Sequence, residues 1–274
     1  MKTNRLNSPS NYPQWSELLH SAVTERGRIL EAYSRFHGYS LGNRIAALHQ
    51  CTARGIQPGP IATFPRWKEL GRHVKRGEHA IVLCQPVTVK DRNAEETAAA
   101  AETPEQVHTV FIWRPHWFVL SQTDGAELAA DAFAAPLWEK TRALAALEIV
   151  ETTFSEMDGN VQGYARGRAI AINPLAQLPL KTLFHETGHV ILGHTDRNAL
   201  TADGERLSAN LREVEAESVA LLCLESLQLP GSEFCRGYIQ NWYGTGNPIP
   251  EQSAQRIFKA ADTILRAGSI EVRS

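Results

Sequence analysis

The segment LKTLFHETGHVILGH, residues 180–194, constrains this chain more than any other. Its apolar residues recur at helical spacing, so His185 and His189, four positions apart, fall on one face where two imidazoles can bind one ion. Glu186, next to the first histidine, is placed to take a proton from a water beside that ion. A catalytic zinc site needs three protein ligands and an open position. His194 follows His189 by five residues and points about 140° away on an ideal helix. It also misses the His-x-x-Gly-x-x-His spacing of another zinc-site class. A better source is LREVEAESVALLCLESL, residues 211–227, where Glu213 and Glu217 share a helical face and Glu215 faces elsewhere. One of the pair can bind the ion while the other accepts the Nδ1 proton of a ligand histidine and fixes its tautomer. The expected cofactor is Zn2+, with another divalent ion as the alternative.

The remaining chain reads as α+β in two domains, 1–130 and 131–274. Helices are expected over 13–36, 40–54 and 66–70, then a strand over 80–89, bent or broken at Pro86. The polar, alanine-rich stretch 90–106 reads as a mobile loop before a partner strand over 107–120, and 121–136 as a connector. The second domain is expected to open with a helix over 136–147. Strands follow over 149–154 and 163–174, the latter a hairpin turning at Arg166–Gly167. Helices then run over 176–194, 206–228, 233–242 and 251–267. In RGRAIAIN, residues 166–173, one reading is an edge strand that takes up an extended peptide. The other is a core strand and nothing more.

No stretch approaches the roughly 18 consecutive apolar residues of a membrane-spanning helix, and the first twenty residues lack the apolar core of a secretory signal. Four scattered cysteines (Cys51, Cys84, Cys223, Cys235) form no Cys-x-x-Cys pair and suit a reducing compartment, so a cytoplasmic address is expected. The net charge of −2 hides an asymmetry. Residues 1–90 hold 13 Lys/Arg against 5 Asp/Glu, and residues 91–274 hold 15 against 25. A basic front half suggests an anionic partner, or else a solvated basic face. Arg66, Lys68, Arg72, Lys75 and Arg76 crowd around Trp67 within eleven positions. Basic groups neutralise phosphates and aromatic faces stack unpaired bases, a combination that suits single-stranded DNA. Trp67 is either such a stacking platform or the core anchor of its short helix. Tyr39 and Asn43, one turn apart, either contact DNA or cap and pack.

Three front clusters stand in order: Phe36 to Asn43 around Tyr39; Trp67 to Glu78, running into Ile81 and Pro86; and Trp117 to Thr123. With the His-Glu-x-x-His helix they resemble the ArdC-type antirestriction proteins of plasmids and other mobile elements. Such proteins join an N-terminal single-stranded-DNA-binding domain to a C-terminal zincin-like metallopeptidase domain. The similarity continues through Glu213 to Ala220 and Tyr238 to Trp242, and covers roughly residues 33–265. One departure is Arg76-Gly77-Glu78, where the family usually has Lys-Gly-Glu; a guanidinium is a fork and an ammonium a point charge. The order Glu213 then Glu217 also resembles gluzincins, in which an acid follows the glutamate ligand by one turn. That resemblance favours Glu213 as ligand and Glu217 behind it, with Glu217 the alternative ligand.

Two functions from different classes follow. One is an antirestriction protein that binds single-stranded DNA, its metal domain structural or acting on a host protein. The other is a regulatory metallopeptidase that cuts a repressor or other protein, with the front domain as a targeting module. A scaffold with a vestigial metal site is a third reading, and Glu186 argues against it, since a purely structural zinc needs no base.

Overall fold

The computed structural model describes residues 12–36, 38–90, 107–128, 137–156, 160–196 and 207–270. Residues 91–106 of the expected loop and 129–136 of the expected connector fall outside them. The fold is α+β, and its contacts divide it into two compact units. One comprises Tyr12 and Gln50–Leu128 among the described residues; the other joins Pro13–His49 to Ala129–Ser274.

The single helix expected over 13–36 is two helices, α1 (Trp15–Thr24) and α2 (Arg28–Arg35). Gly27, at φ 77°, takes the left-handed conformation between them, which a continuing helix cannot use. A third helix, α3 (Leu41–Arg54), follows. Residues 13–49 thus cluster with the C-terminal unit, whereas the expected grouping ran over residues 1–130. Leu18, Leu19, Ala22 and Val23 of α1 and Ile29 and Ala32 of α2 are buried. Their helices pack on the C-terminal helices of the same unit. Glu251, at the start of the last of those helices, accepts from the backbone N–H of Trp15 and Ser16, both at 2.8 Å. It thereby places a carboxylate at the positive end of α1.

The first unit begins with β1 (Ile61–Thr63), α4 (Phe64–Glu69) and β2 (Arg72–Val74). Strands β3 (Ile81–Lys90) and β4 (Val107–Val119) then pair antiparallel, from Ile81 opposite Trp117 to Lys90 opposite Val107. The strand order is β1-β4-β3, which puts β3 at the edge. An edge strand tolerates a proline, so β3 runs unbroken through Pro86. A short strand, β5 (Thr123–Gly125), pairs with β2. Residues 120–125 therefore belong to this unit and not to a connector.

In the second unit β6 (Leu137–Trp138) precedes α5 (Lys140–Ala146) and β7 (Val150–Glu151). The hairpin of β8 (Gly163–Arg166) and β9 (Ala169–Ile172) turns at Gly167–Arg168, one residue later than the expected Arg166–Gly167. The sheet order is β7-β9-β8, so β8 is an edge strand and β9 is central. Ala169–Ile172 of RGRAIAIN therefore form a central strand, while Arg166 ends the edge strand. Four helices follow: α6 (Pro179–Ile191), α7 (Ala209–Ser226), α8 (Ser232–Gly244) and α9 (Glu251–Gly268). Strand β10 (Ser269–Ile270) closes the unit by pairing with β6. Helix α7 packs against α2, α6, α8 and α9. Every residue from Val214 to Leu224 is buried, so the helix has no solvent face over those turns. Two of those residues are glutamates, and their partners define the site.

Candidate metal centre

Helix α6 starts at Pro179, whose fixed φ suits a first turn, and carries His185, Glu186 and His189 toward α7. Helix α7 answers with Glu213 and Glu217. Nε2 of His185 lies 3.1 Å from Nε2 of His189 and 3.4 Å from Glu213 Oε2. Nε2 of His189 lies 3.5 Å from Glu213 Oε1. Four ligands at about 2.0–2.1 Å from a tetrahedral ion stand about 3.3–3.4 Å apart. Two imidazole nitrogens and a carboxylate at these separations fit a divalent cation. Among the described residues this trio is the metal-competent cluster of His, Cys and acidic groups.

Glu217 stands behind the cluster. Its Oε1 lies 3.3 Å from Nδ1 of His185 and accepts a hydrogen bond from Lys181 Nζ at 2.7 Å. In that arrangement Glu213 could face a bound cation while Glu217 orients the His185 ring. Burial alone favours neutral forms, but charge within the cluster outweighs it. Burial opposes the imidazolium of His185, yet the carboxylates of Glu213 and Glu217 raise its pKa to about 9. The adjacent rings of His185 and His189 hold Glu213 well below the usual carboxylate range. Burial pushes Glu217 up, and His185 and Lys181 more than reverse it, leaving it at about 2.

Glu186 is buried and makes no such direct bond. Desolvation raises its pKa, with His185 and His189 opposing. It lies between two cavities. One, of about 310 Å3, is lined by Gly163, Leu178, Lys181, Thr182, His185 and Phe234 among others. The other, of about 380 Å3, is lined by Tyr164, His185, His189, Thr195, Arg212 and Glu213 among others. Glu186 borders both, and residues of the edge strand β8 line both.

His194 and Glu215, set aside on helical geometry, also belong to the site. Helix α6 ends at Ile191, and Gly193 at φ 78° turns the chain back. His194 therefore returns to His189, with their Nδ1 atoms 2.9 Å apart, and its Nε2 meets Glu215 Oε2 at 2.7 Å. The signal available in the sequence was the glycine, a common terminator in the left-handed conformation.

The basic cluster of the first unit divides. Trp67 is 1% exposed and its indole N–H donates to Phe118 O at 2.8 Å, so it anchors α4 to β4 and has no free face for a base. Of the two readings left open for Trp67, this burial favours the core anchor over the stacking platform. Arg72 is committed to its own fold: Nε donates to Thr123 Oγ1, Nη2 to Thr123 O, and Nη1 to the carbonyls of Gly125 and Ala126. Lys75 Nζ donates to Ser121 O at 2.9 Å and lies 3.7 Å from Asp124. Arg66 pairs with Glu69 on the exposed side of α4. Lys68 and Arg76 are exposed. Tyr39 and Asn43 are half-buried and belong to the second unit, not to that of the basic cluster. Tyr39 O accepts from Arg44 Nε at 2.7 Å.

Residues 10–114 match the family described as the N-terminal domain of anti-restriction factor ArdC. Two crystal structures of the antirestriction ArdC protein from the R388 plasmid share the fold. The metal-free one is 19% identical at a TM-score of 0.53, covering 92% of this chain and 97% of that one. The Mn(II)-bound one is 18% identical at 0.52, covering 93% and 98%. No match appears among curated proteins. Among the described residues no helix is long and apolar enough to cross a membrane.

The charge balance of the cluster gives a pH signature. His185 has a folded pKa of about 9 against an ordinary 6.5. Its pairing therefore stabilises the metal-free fold fully below about pH 6.5, and that contribution is lost as pH rises toward 9. Urea denaturation of the chelated protein should show stability falling over this interval, with the fall abolished in His185→Ala. Metal affinity should rise over the same interval, because the ion must displace that proton. A chelated wild type whose stability is flat from pH 6.5 to 9 would contradict this assignment.

Proposed function

We propose, for a chain whose residues 10–114 match the ArdC N-terminal-domain family and whose fold is that of ArdC, an antirestriction protein with two activities. Its first unit binds single-stranded DNA without strong sequence preference, and its second holds a zinc ion in a hydrolytic site. The observation that carries the second part is the triangle of His185, His189 and Glu213 with Glu186 buried beside it. A structural zinc needs neither the carboxylate nor the flanking cavities. The four buried thiols suit a reducing compartment, and we place the protein in the cytoplasm.

In this reading His185, His189 and Glu213 hold the ion, while Glu217 keeps the His185 ring in register. The bound ion supplies Lewis acidity, polarising a carbonyl and acidifying a nearby water. Glu186 takes the proton of the attacking water as the new C–O bond forms. Desolvation raises its pKa and so makes it a stronger base toward that water, and the acid so formed passes the proton to the more basic amide nitrogen as the C–N bond breaks. The free side of β8, alongside both cavities, suits an extended peptide added as a further strand. These features also favour the second reading, a regulatory metallopeptidase that cuts a repressor or other host protein, with the front domain as its targeting module.

Glu186→Gln keeps the volume and removes the base. It should retain zinc and the melting temperature while hydrolysis of a peptide library falls about 10²–10⁴-fold. Cleavage at the wild-type rate would remove Glu186 from the chemistry.

The basic front half supports the DNA reading, with Lys68 and Arg76 as the exposed cations of the cluster. Affinity of the full chain for an oligothymidine should fall steeply with salt, and removing one cation that neutralises a phosphate should flatten the log–log slope by about 0.7. Lys68→Ala and Arg76→Ala should each do so without a change in stability. A folded protein that binds no oligonucleotide at low salt would leave the regulatory peptidase as the better account.

A further inference from the structure

Behind His189 lies a buried relay that the histidine–glutamate pattern of the two helices does not require. The side chains of His194 and Glu215 are 3% and 0% exposed. Their contact is 2.7 Å, from His194 Nε2 to Glu215 Oε2. On its other side His194 Nδ1 lies 2.9 Å from Nδ1 of His189. Arg256 Nη2 lies 4.0 Å from the same Glu215 oxygen.

Hydrogen-bond roles along this line are not free. An ionised carboxylate only accepts, so Nε2 of His194 carries the hydrogen. Neutral His194 then presents a lone pair at Nδ1, and the 2.9 Å contact requires His189 to donate its Nδ1–H. The lone pair of His189 is left on Nε2, the nitrogen that faces His185 and Glu213. The opposite assignment, with His194 donating from Nδ1, would put a hydrogen on His189 Nε2 and point it into the cluster, where it could not bind a cation.

We propose that Glu215 and His194 are a positioning pair that fixes the tautomer and ring orientation of His189, so that Nε2 is its ligand atom. His185 receives the same service directly from Glu217; His189 receives it through an intervening imidazole. The inference rests on the ligand set of the proposed function.

The test measures zinc affinity of the full chain by competition with a chromogenic chelator. Removing His194 alone would leave Glu215 buried without its 2.7 Å hydrogen bond, so the informative variant is His194→Phe combined with Glu215→Leu. It should lose about 10–100-fold in zinc affinity while the metal-free melting temperature stays near wild type. His194→Gln offers a carbonyl to His189 and an amide to Glu215, and should recover most of that loss. A folded double variant that binds zinc as tightly as wild type would overturn the proposal, as would a folded His194→Gln no better than the double variant. Should the double variant not fold, long-range ¹H–¹⁵N spectra of the zinc-loaded wild type decide. The expected pattern is Nδ1–H on His189 and Nε2–H on His194, and Nε2–H on His189 would overturn the assignment. A wild type that binds no zinc would instead overturn the ligand set itself, and this inference with it.

Discussion

Helix α7 places two carboxylates, Glu215 and Glu217, inside the helical core of the second unit. A charge so placed costs several kcal/mol unless it is paired and hydrogen-bonded. The pairing groups come from α6 and the turn that follows it: Lys181 and His185 for Glu217, His194 for Glu215. Satisfying these charges fixes two imidazole rings directly, and a third, His189, through His194. Glu213, at the more exposed end of the same helix face, then completes a cation-sized triangle. The geometry at the surface is thus set by charge compensation in the core.

The same compensation explains why the titratable groups of the site differ. His185 sits between two carboxylates, and its pKa is drawn up to about 9. His194 is buried against one carboxylate, and desolvation pulls its pKa down, which keeps a lone pair available for His189. Glu186 faces the cavities with no cation bonded to it, so burial dominates and its pKa rises. Neighbouring groups of one site are thereby driven in different directions by the partners each one meets.

Much of this was legible in the sequence because spacing on a helix fixes direction. A separation of four positions between His185 and His189, and again between Glu213 and Glu217, places each pair on one face without knowledge of tertiary structure. What spacing could not give was behaviour past a helix end. Ideal-helix geometry directs His194 away from the site, but α6 stops at Ile191 and Gly193 reverses the chain. The edge position of β8 depends on β9 pairing on both sides, a non-local fact. Trp67 shows another limit: its position among cations suits stacking as well as anchoring, and only the bond to Phe118 O decides for the core. The grouping of α1 and α2 with the C-terminal helices was also invisible, since an amphipathic face does not specify which surface will cover it.

The central claim is that His185, His189 and Glu213 hold one divalent ion, with Glu217 and His194 behind the histidines. Anomalous diffraction at the zinc edge, from crystals of the zinc-loaded chain, tests it most directly. The account predicts one strong peak at about 2.0–2.2 Å from Nε2 of His185, Nε2 of His189 and a carboxylate oxygen of Glu213. A peak bonded to Glu217 or His194 in place of Glu213, or no peak between the two helices, would contradict it.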